Sequence, residues 1–228
     1  MTLAVTRKAF GDIASHYDDF IRRLIPFYQE QNEALLELLP FQKEEHFSVL
    51  DLGAGTGILS EVIAKRFPRA EFTLLDMTAE MLEKAKIRLA PYPNQRNFIQ
   101  GDFLGAAFGG PYDAIVAGLS LHHVGDEEKR QVFQKVHGCL KPGGWFILRD
   151  YLKGETAEQD AFFNRVWSQR FALLDEEEER WFHDHMQHDK PSTLSSHLAW
   201  FRENGFIEAE TYFRYFGFCV LAGRKPAS

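Results

Sequence analysis

Four short segments of the 228-residue chain carry residue types that can hold a ligand or do chemistry. The first is Val49-Leu-Asp-Leu-Gly-Ala-Gly-Thr-Gly57. Glycines at 53 and 55 let the backbone turn tightly and approach a ligand closely, and a helix opening just after them offers free N–H groups. The second is Asp76, 23 residues after Gly53. An acidic side chain at the end of a second strand accepts hydrogen bonds from both hydroxyls of a ribose. The third is Gly101-Asp102-Phe103, where Asp102 can accept from an exocyclic amine such as that of adenine and Phe103 can pack near the ring. The fourth is Leu119-Ser-Leu-His-His-Val124, placed where a reacting centre would sit, with His122 as candidate general base.

The glycine spacing separates ligand classes. A dinucleotide fingerprint puts its third glycine three positions after the second. Here that position is Ile58, and the third glycine is Gly57. Asp51, two residues before Gly53, adds a carboxylate that would receive a pyrophosphate poorly and suits a ligand with an amino group. A nicotinamide-dependent oxidoreductase is therefore the weaker reading. His183, His185 and His188 suggest a metal, but ligands on a helix want i,i+4 spacing on one face, which the three do not share. No metal is expected from them.

The elements that must position these residues follow from periodicity. Phe47–Leu52, Glu71–Asp76, Asn97–Asp102, Tyr112–Ala117 and Trp145–Asp150 read as strands. Between them run amphipathic stretches. Ile58–Phe67 places Leu59, Val62 and Ile63 on one face. A helix capped by Thr78 carries Met81, Leu82, Ala85 and Leu89. Asp126–Leu140 reads as a helix that stops at the Lys-Pro-Gly-Gly breaker. Strands alternating with helices imply an α/β fold with a mostly parallel sheet, and ligands in such sheets bind beyond the carboxyl ends of the strands. Residues 10–40 read as helical, with Pro26 opening a second helix. Residues 156–204 are also mainly helical, with a last helix capped by Ser192 and ended by Asn204-Gly205. Phe206–Arg224 reads as two strands around Phe216-Gly217.

Composition narrows the partners. A net charge of −7 argues against a broad nucleic-acid face. Cys139 and Cys219 cannot build a disulfide framework, so a reduced cytoplasmic setting is expected. The longest apolar run, 216–223, is too short to span a bilayer, and Arg7-Lys8 is followed by no apolar signal segment. Of 32 aromatic residues, 15 fall after residue 150. They either bury a helical insertion against the sheet, through Phe162, Phe163, Trp167 and Phe171, or line an acceptor pocket with Trp200 near it.

VLDLGAGTG, TLLDMTAEML, QGDF, YDAIVAGLSLHHV and CLKPGGWFILRD occur in the order found in class I S-adenosylmethionine-dependent methyltransferases, which residues 47–150 resemble. The resemblance implies a Rossmann-like doubly wound sheet of seven strands, order 3-2-1-4-5-7-6, the last strand antiparallel. It implies one domain made of an N-terminal helical cap (1–45), a cofactor core (46–150), a helical insertion (151–205) and a final hairpin (206–228). S-adenosylmethionine is then the cofactor and S-adenosylhomocysteine the product. The Gly53–Gly57 loop, with Gly53, Ala54 and Gly55, would hold the methionine part. Asp76 would bind the ribose, Met77 would lie against adenine, Asp102 and Phe103 would sit at the adenine end, and Leu119 at the reacting end.

The flanks, Phe10–Asp19, Arg22–Tyr28 and Asn204–Phe218, resemble the carboxy-S-adenosylmethionine synthase branch and its methyltransferase relatives. In that branch the N-terminal helices close over the cofactor, which adds Tyr17, Arg23 and Tyr28 as cleft residues. The branch holds its extra carboxylate with an arginine where Trp200 aligns, and has an asparagine where this chain has Gly118. Trp200 cannot form that charge-assisted pair, so methyl transfer to a small molecule is the leading expectation. A synthase-like enzyme feeding tRNA modification, with Arg165, Arg170 or Arg202 as substitute cation, is the alternative, and a non-catalytic cofactor-binding protein is a third. Ala117-Gly-Leu-Ser replaces the Pro-Pro-aromatic signature of base N-methyltransferases, and neither cysteine follows a proline. DNA is thus not an expected acceptor. Membrane association is not expected either, and a homodimer is left open.

Overall fold

The computed structural model describes residues 17–227, apart from the side chains of Tyr17 and His185. Helices α1 (Tyr17–Leu24) and α2 (Tyr28–Glu37) precede β1 (Ser48–Leu52). Then follow α3 (Ile58–Arg66), β2 (Glu71–Asp76), α4 (Ala79–Leu89), β3 (Arg96–Gln100) and β4 (Tyr112–Gly118). A short 3-10 turn, Leu121–His123, leads to α5 (Asp126–Cys139) and β5 (Leu140–Tyr151). The remainder is α6 (Ala157–Ser168), α7 (Glu176–Met186), α8 (Leu194–Glu203), β6 (Ile207–Tyr215) and β7 (Phe218–Arg224).

The strands form a seven-stranded sheet in the order β3-β2-β1-β4-β5-β7-β6. Pairings from β3 to β5 are parallel, and β7 runs antiparallel to both β5 and β6. The central strands bury both faces, which is why they read as near-continuous apolar runs. On one face Val49, Leu74, Val116 and Ile147 pack against Leu35 of α2, Ile63 of α3 and Leu82 of α4. On the other, Leu50, Ile115, Phe146 and Leu148 pack against Phe133 of α5 and Phe201 of α8. A third cluster joins Phe20 and Leu24 of α1 to Tyr151, Trp167, Phe182 and Phe218. No described helix is long and apolar enough to cross a membrane.

Three local expectations are corrected. Lys-Pro-Gly-Gly does not separate helix from strand by a loop: it lies within β5, where the pairing jumps from Tyr112↔Leu140 to Ala114↔Trp145. The extra residues bulge outward while Gly143 donates to the Lys225 carbonyl at 3.0 Å. Pro26 does not open α2; the chain turns at Phe27 with φ 53°, and Gln31 Nε2 donates to the Pro26 carbonyl at 2.7 Å. The cap of α8 is Thr193, whose hydroxyl accepts from the Ser196 amide. Ser192 is buried and bonded instead to Lys129 and Asp126. Residues 10–16 of the predicted N-terminal helical stretch lie outside the described residues.

Candidate active site

Beyond the carboxyl ends of β1, β2 and β4 lies a cavity of about 260 Å³. The chain reaches it by two pinned turns. After β1, the amides of Gly53 and Ala54 both donate to the Leu75 carbonyl, at 2.8 and 3.0 Å, which folds the glycine turn over β2. Gly53 stands at φ +69°, and a Cβ there would lie 2.5 Å from the Ser120 Cβ, so the turn and the loop after β4 are in direct contact. Asp76 ends β2 and braces the same turn: Oδ2 accepts from the Gly55 amide and Oδ1 from the Thr78 amide, each at 2.8 Å. Burial raises its pKa, partly offset by these two amides. Carboxylate oxygens have two lone pairs each, so Asp76 keeps acceptor capacity toward the cavity.

The cap adds a third anchor. Asp18 of α1 accepts from the Thr56 hydroxyl at 2.8 Å and pairs with Arg88, which also donates to the Thr56 carbonyl at 2.9 Å. The glycine turn is thus tied to α1 as well as to the sheet. At the other end, Asp102 accepts from the Leu104 and Gly105 amides at 2.8 and 2.7 Å, and these bonds lower its pKa.

A second, smaller cavity of about 50 Å³ lies under α1 and α7, walled by Phe20, Tyr151, Trp167, Trp181, Phe182 and Met186. The two cavities meet at Ile21, Leu119, His123 and Asp189. A polar group sits at this junction. His122 Nδ1 bonds Asp150 Oδ1 at 2.5 Å, His123 Nδ1 bonds Asp189 Oδ1 at 2.9 Å, and the Tyr151 hydroxyl donates to Asp189 Oδ2 at 2.7 Å. Burial alone would lower the pKa of His122, but Asp150 and Asp189 outweigh it and raise it. For His123, burial and the neighbouring His122 lower it.

A methyltransferase domain model matches residues 49–144, the span from β1 into β5. Among similar curated proteins is the carboxy-S-adenosyl-L-methionine synthase of Nautilia profundicola, 23% identical over 94% of this chain and 92% of that protein. Among solved structures, the magnesium protoporphyrin IX methyltransferase of Synechocystis with bound S-adenosylhomocysteine aligns with TM-score 0.65 and 18% identity, over 97% of this chain and 99% of that one. The apo S-adenosylmethionine-dependent methyltransferase SibL aligns with TM-score 0.65 and 20% identity over 87% of this chain, which spans only 55% of SibL. Residues 49–144 match a methyltransferase domain, and the chain as a whole is similar to class I S-adenosylmethionine-dependent methyltransferases. It is an enzyme of that class, near the carboxy-S-adenosylmethionine synthase branch, and S-adenosylmethionine is its cofactor.

Of the cofactor candidates in this methyltransferase, Gly53, Ala54, Gly55, Asp76, Met77, Asp102, Phe103 and Leu119 line the larger cavity. Asp51 does not. It is buried beneath the turn, accepting from the Ser60 hydroxyl at 2.7 Å. Arg23 points away from the cavity: it donates to the Leu173 carbonyl at 2.7 Å and pairs with Glu178. Tyr28 is buried against the Arg149 guanidinium, 4.7 Å from its ring centroid, behind the cavity wall. The side chain of Tyr17 lies outside the described residues. His122 faces the smaller recess, not the larger cavity. Trp200 is buried among Phe133, Phe201 and His197 on the far face of the sheet and lines neither cavity.

Two wall residues escaped the sequence reading. Arg149 lies on β5 opposite Gly118, held from behind by Asn32, and its Nε is buried without a partner among the described residues. A charged Arg-Asp pair closing an apolar strand was the available signal. Asp189 follows α7 and left no local signal, because its partners, His123 on the loop after β4 and Tyr151 on β5, are 66 and 38 residues away.

Asp51 supports a prediction. Burial pushes its carboxyl up to about 6, despite the Ser60 hydrogen bond and the nearby Arg149 charge. The unfolded value is about 3.9. Between these values the folded chain holds a proton that the unfolded chain has released, so stability falls as pH rises through the window. About two units correspond to roughly 3 kcal/mol. Asp51→Asn, which still accepts from Ser60, is expected to melt several degrees higher than the parent at pH 8, with the gap closing toward pH 4. Thermal unfolding of the ligand-free protein across that range checks it, and a pH-independent gap would remove the ionised carboxylate as the cause.

Proposed function

We propose that this enzyme methylates a small-molecule acceptor whose reacting group enters the aromatic recess under α1 and α7. The observation that carries the reading is the junction of the two cavities at Ile21, Leu119, His123 and Asp189. Asp76 would take the ribose, Asp102 and Met77 the adenine end, and the Gly53–Gly55 backbone the methionine part. The fit is physical: the turn leaves no room for a Cβ at Gly53, and Asp76 presents spare acceptor capacity. When bound, the cofactor supplies a methyl carbon already activated by its sulfonium.

The chain's own task is then positioning. An in-line displacement needs the acceptor atom about 3 Å from that carbon in a site closed to water. The recess is closed by Phe20, Trp167 and Phe182, each nearly fully buried. Its volume admits a group of a few heavy atoms, so the acceptor or its reacting end is small. Proton removal, where the acceptor requires it and no ion occupies the mouth of the recess, falls to His122 or His123. A cytoplasmic small-molecule enzyme fits this arrangement.

A labelled-methyl experiment tests the reading. Enzyme given methyl-labelled cofactor and a cell extract is expected to transfer label to the small-molecule fraction. Met186→Trp, which fills the recess and leaves the larger cavity's wall intact, is expected to lower transfer at least about tenfold with cofactor affinity retained. Label in RNA or protein, or no effect of Met186→Trp, would count against it.

One observation favours a second reading, synthase-like formation of a carboxylated cofactor. Arg165 and Arg170 lie outside both cavities, over Phe162 and on the Arg23 carbonyl, and Arg202 is exposed, so none is the substitute cation. Arg149 lines the larger cavity instead, and a Cβ on Gly118 would lie 3.3 Å from its Nη2. Leu59 Cδ2, at 2.9 Å, and the guanidinium together crowd the space that the branch's asparagine side chain would need. The Arg149 Nε, without a partner among the described residues, suits a carboxylate. The mass of the ligand released from purified enzyme separates the readings: the ordinary cofactor or its demethylated product supports methyl transfer, and a carboxylated mass supports the synthase.

A further inference from the structure

Of the histidines weighed for metal in the sequence, His183 lies 3.7 Å from Glu179 of its own helix and His188 lies on the larger cavity's wall, while the side chain of His185 lies outside the described residues. A different trio is brought together. We propose that His122, His123 and Asp189 form a binding site for a divalent first-row transition ion at the junction of the two cavities. One ligand atom from each, a nitrogen from either imidazole and a carboxylate oxygen, lie within 4.8 Å of one another.

The distances match ligand edges. Metal–nitrogen and metal–oxygen bonds of about 2.1 Å put ligands at right angles about 3 Å apart, and His123 Nδ1 lies 2.9 Å from Asp189 Oδ1. His122 Nε2 lies 3.9 Å from Asp189 Oδ2, too far for a hydrogen bond. Two bonds of about 2.1 Å meeting at a wide angle span that gap, with the carboxylate reaching the ion through Oδ1 beside His123 and Oδ2 toward His122.

The surroundings orient the ligands as a metal centre requires. His122 Nδ1 is committed to Asp150 Oδ1 at 2.5 Å, and Asp150 Oδ2 accepts from the His122 amide at 3.1 Å. That fixes the ring and turns Nε2 toward Asp189, the carboxylate–histidine–metal arrangement. Tyr151 fixes the Asp189 carboxylate in turn. The loop carrying Asp189 is clamped to the histidine loop: the Lys190 amide donates to the His122 carbonyl at 2.6 Å. Buried Lys129 bonds the Val124 carbonyl, the Lys190 carbonyl and the Ser192 hydroxyl. Two imidazoles and one carboxylate suit zinc, iron(II), cobalt(II) or manganese(II) better than magnesium or calcium. Three protein ligands leave positions open, and His123 and Asp189 face both cavities. An ion there would hold an oxygen of the acceptor beside the reacting carbon, a role that rests on the methyl-transfer reading, whereas the ion site does not.

Metal analysis after loading with zinc(II) or cobalt(II) and desalting tests the site. The folded parent is expected to retain one ion per chain, with cobalt(II) showing the absorption of a nitrogen–oxygen site. His123→Ala and Asp189→Asn are expected to lose the ion while unfolding cooperatively. Asp150→Asn, a positioning change, is expected to weaken metal affinity about 10–100-fold. A parent that retains no ion, or folded variants that retain it equally, would overturn the proposal. Chelation followed by zinc add-back tests the acceptor role separately: labelled-methyl transfer lost and restored supports it, and transfer indifferent to chelation refutes that role while the bound ion stands.

Discussion

Gly53→Ala is expected to abolish measurable cofactor binding, raising the dissociation constant at least about 100-fold, or roughly 2.7 kcal/mol. Two costs add. A non-glycine residue at φ +69° carries backbone strain on the order of 1–2 kcal/mol. The new Cβ also meets the Ser120 Cβ at 2.5 Å, Ser120 Oγ at 2.9 Å and Phe103 Cζ at 3.1 Å. Ser120 cannot swing aside, because a Cβ moves only with its backbone and its hydroxyl is bonded to the Leu52 carbonyl at 2.8 Å. Relief must come from opening the turn against the loop after β4, which distorts the cavity wall. Gly55→Ala separates the two costs: φ is +52° but no described residue lies within 4 Å of its Cβ, so only the strain is paid and the loss is smaller. Calorimetric titration with S-adenosylhomocysteine checks both. Equal losses would show that strain, not contact with Ser120, sets the requirement.

Asp76→Ala is expected to be nearly as severe. Its carboxylate does two jobs, bracing the turn through the Gly55 and Thr78 amides and offering acceptors to a ribose. Removing a charged acceptor from two hydroxyls costs roughly 1.5–3 kcal/mol, and leaving two amides short of a partner adds about 1 kcal/mol or more. A loss of about 100-fold or more in affinity follows. Asp76→Asn, which keeps one carbonyl acceptor, should fall between. Because the lost contacts are to ribose and turn, affinity for adenosine alone should drop in parallel with affinity for the whole cofactor product. An unchanged dissociation constant in Asp76→Ala would remove the residue from the site.

The sheet was legible because burial on both faces leaves a plain mark. The apolar runs ending in Asp51-Leu52, Asp76 and Gly118 are the strands β1, β2 and β4, and their order followed from the resemblance. The breaker reading of Lys-Pro-Gly-Gly missed because proline and glycine also make bulges, and antiparallel β7 was there to pair beyond one. Ser192 and Thr193 are adjacent and chemically equivalent as caps; a buried lysine from α5 claimed the serine. At the site, the strand-end residues that line the larger cavity were readable one by one, whereas the junction was not. His122 and His123 are neighbours in sequence, but the 3-10 turn sends one ring toward Asp150 and the other toward Asp189. The aromatic excess after residue 150 splits the same way. Trp167 and Phe182 wall the recess, Phe162 is 41% exposed, and Trp200 packs in the opposite core.

The position of the reacting end of the cofactor decides whether the recess can serve the acceptor. A crystal structure with S-adenosylhomocysteine measures this directly. The prediction is a ribose on Asp76, an adenine between Met77 and Phe103 near Asp102, and a sulfur at Leu119 facing the His123–Asp189 mouth of the recess. A sulfur placed toward Gly101–Leu104, with the recess closed off from it, would contradict the account.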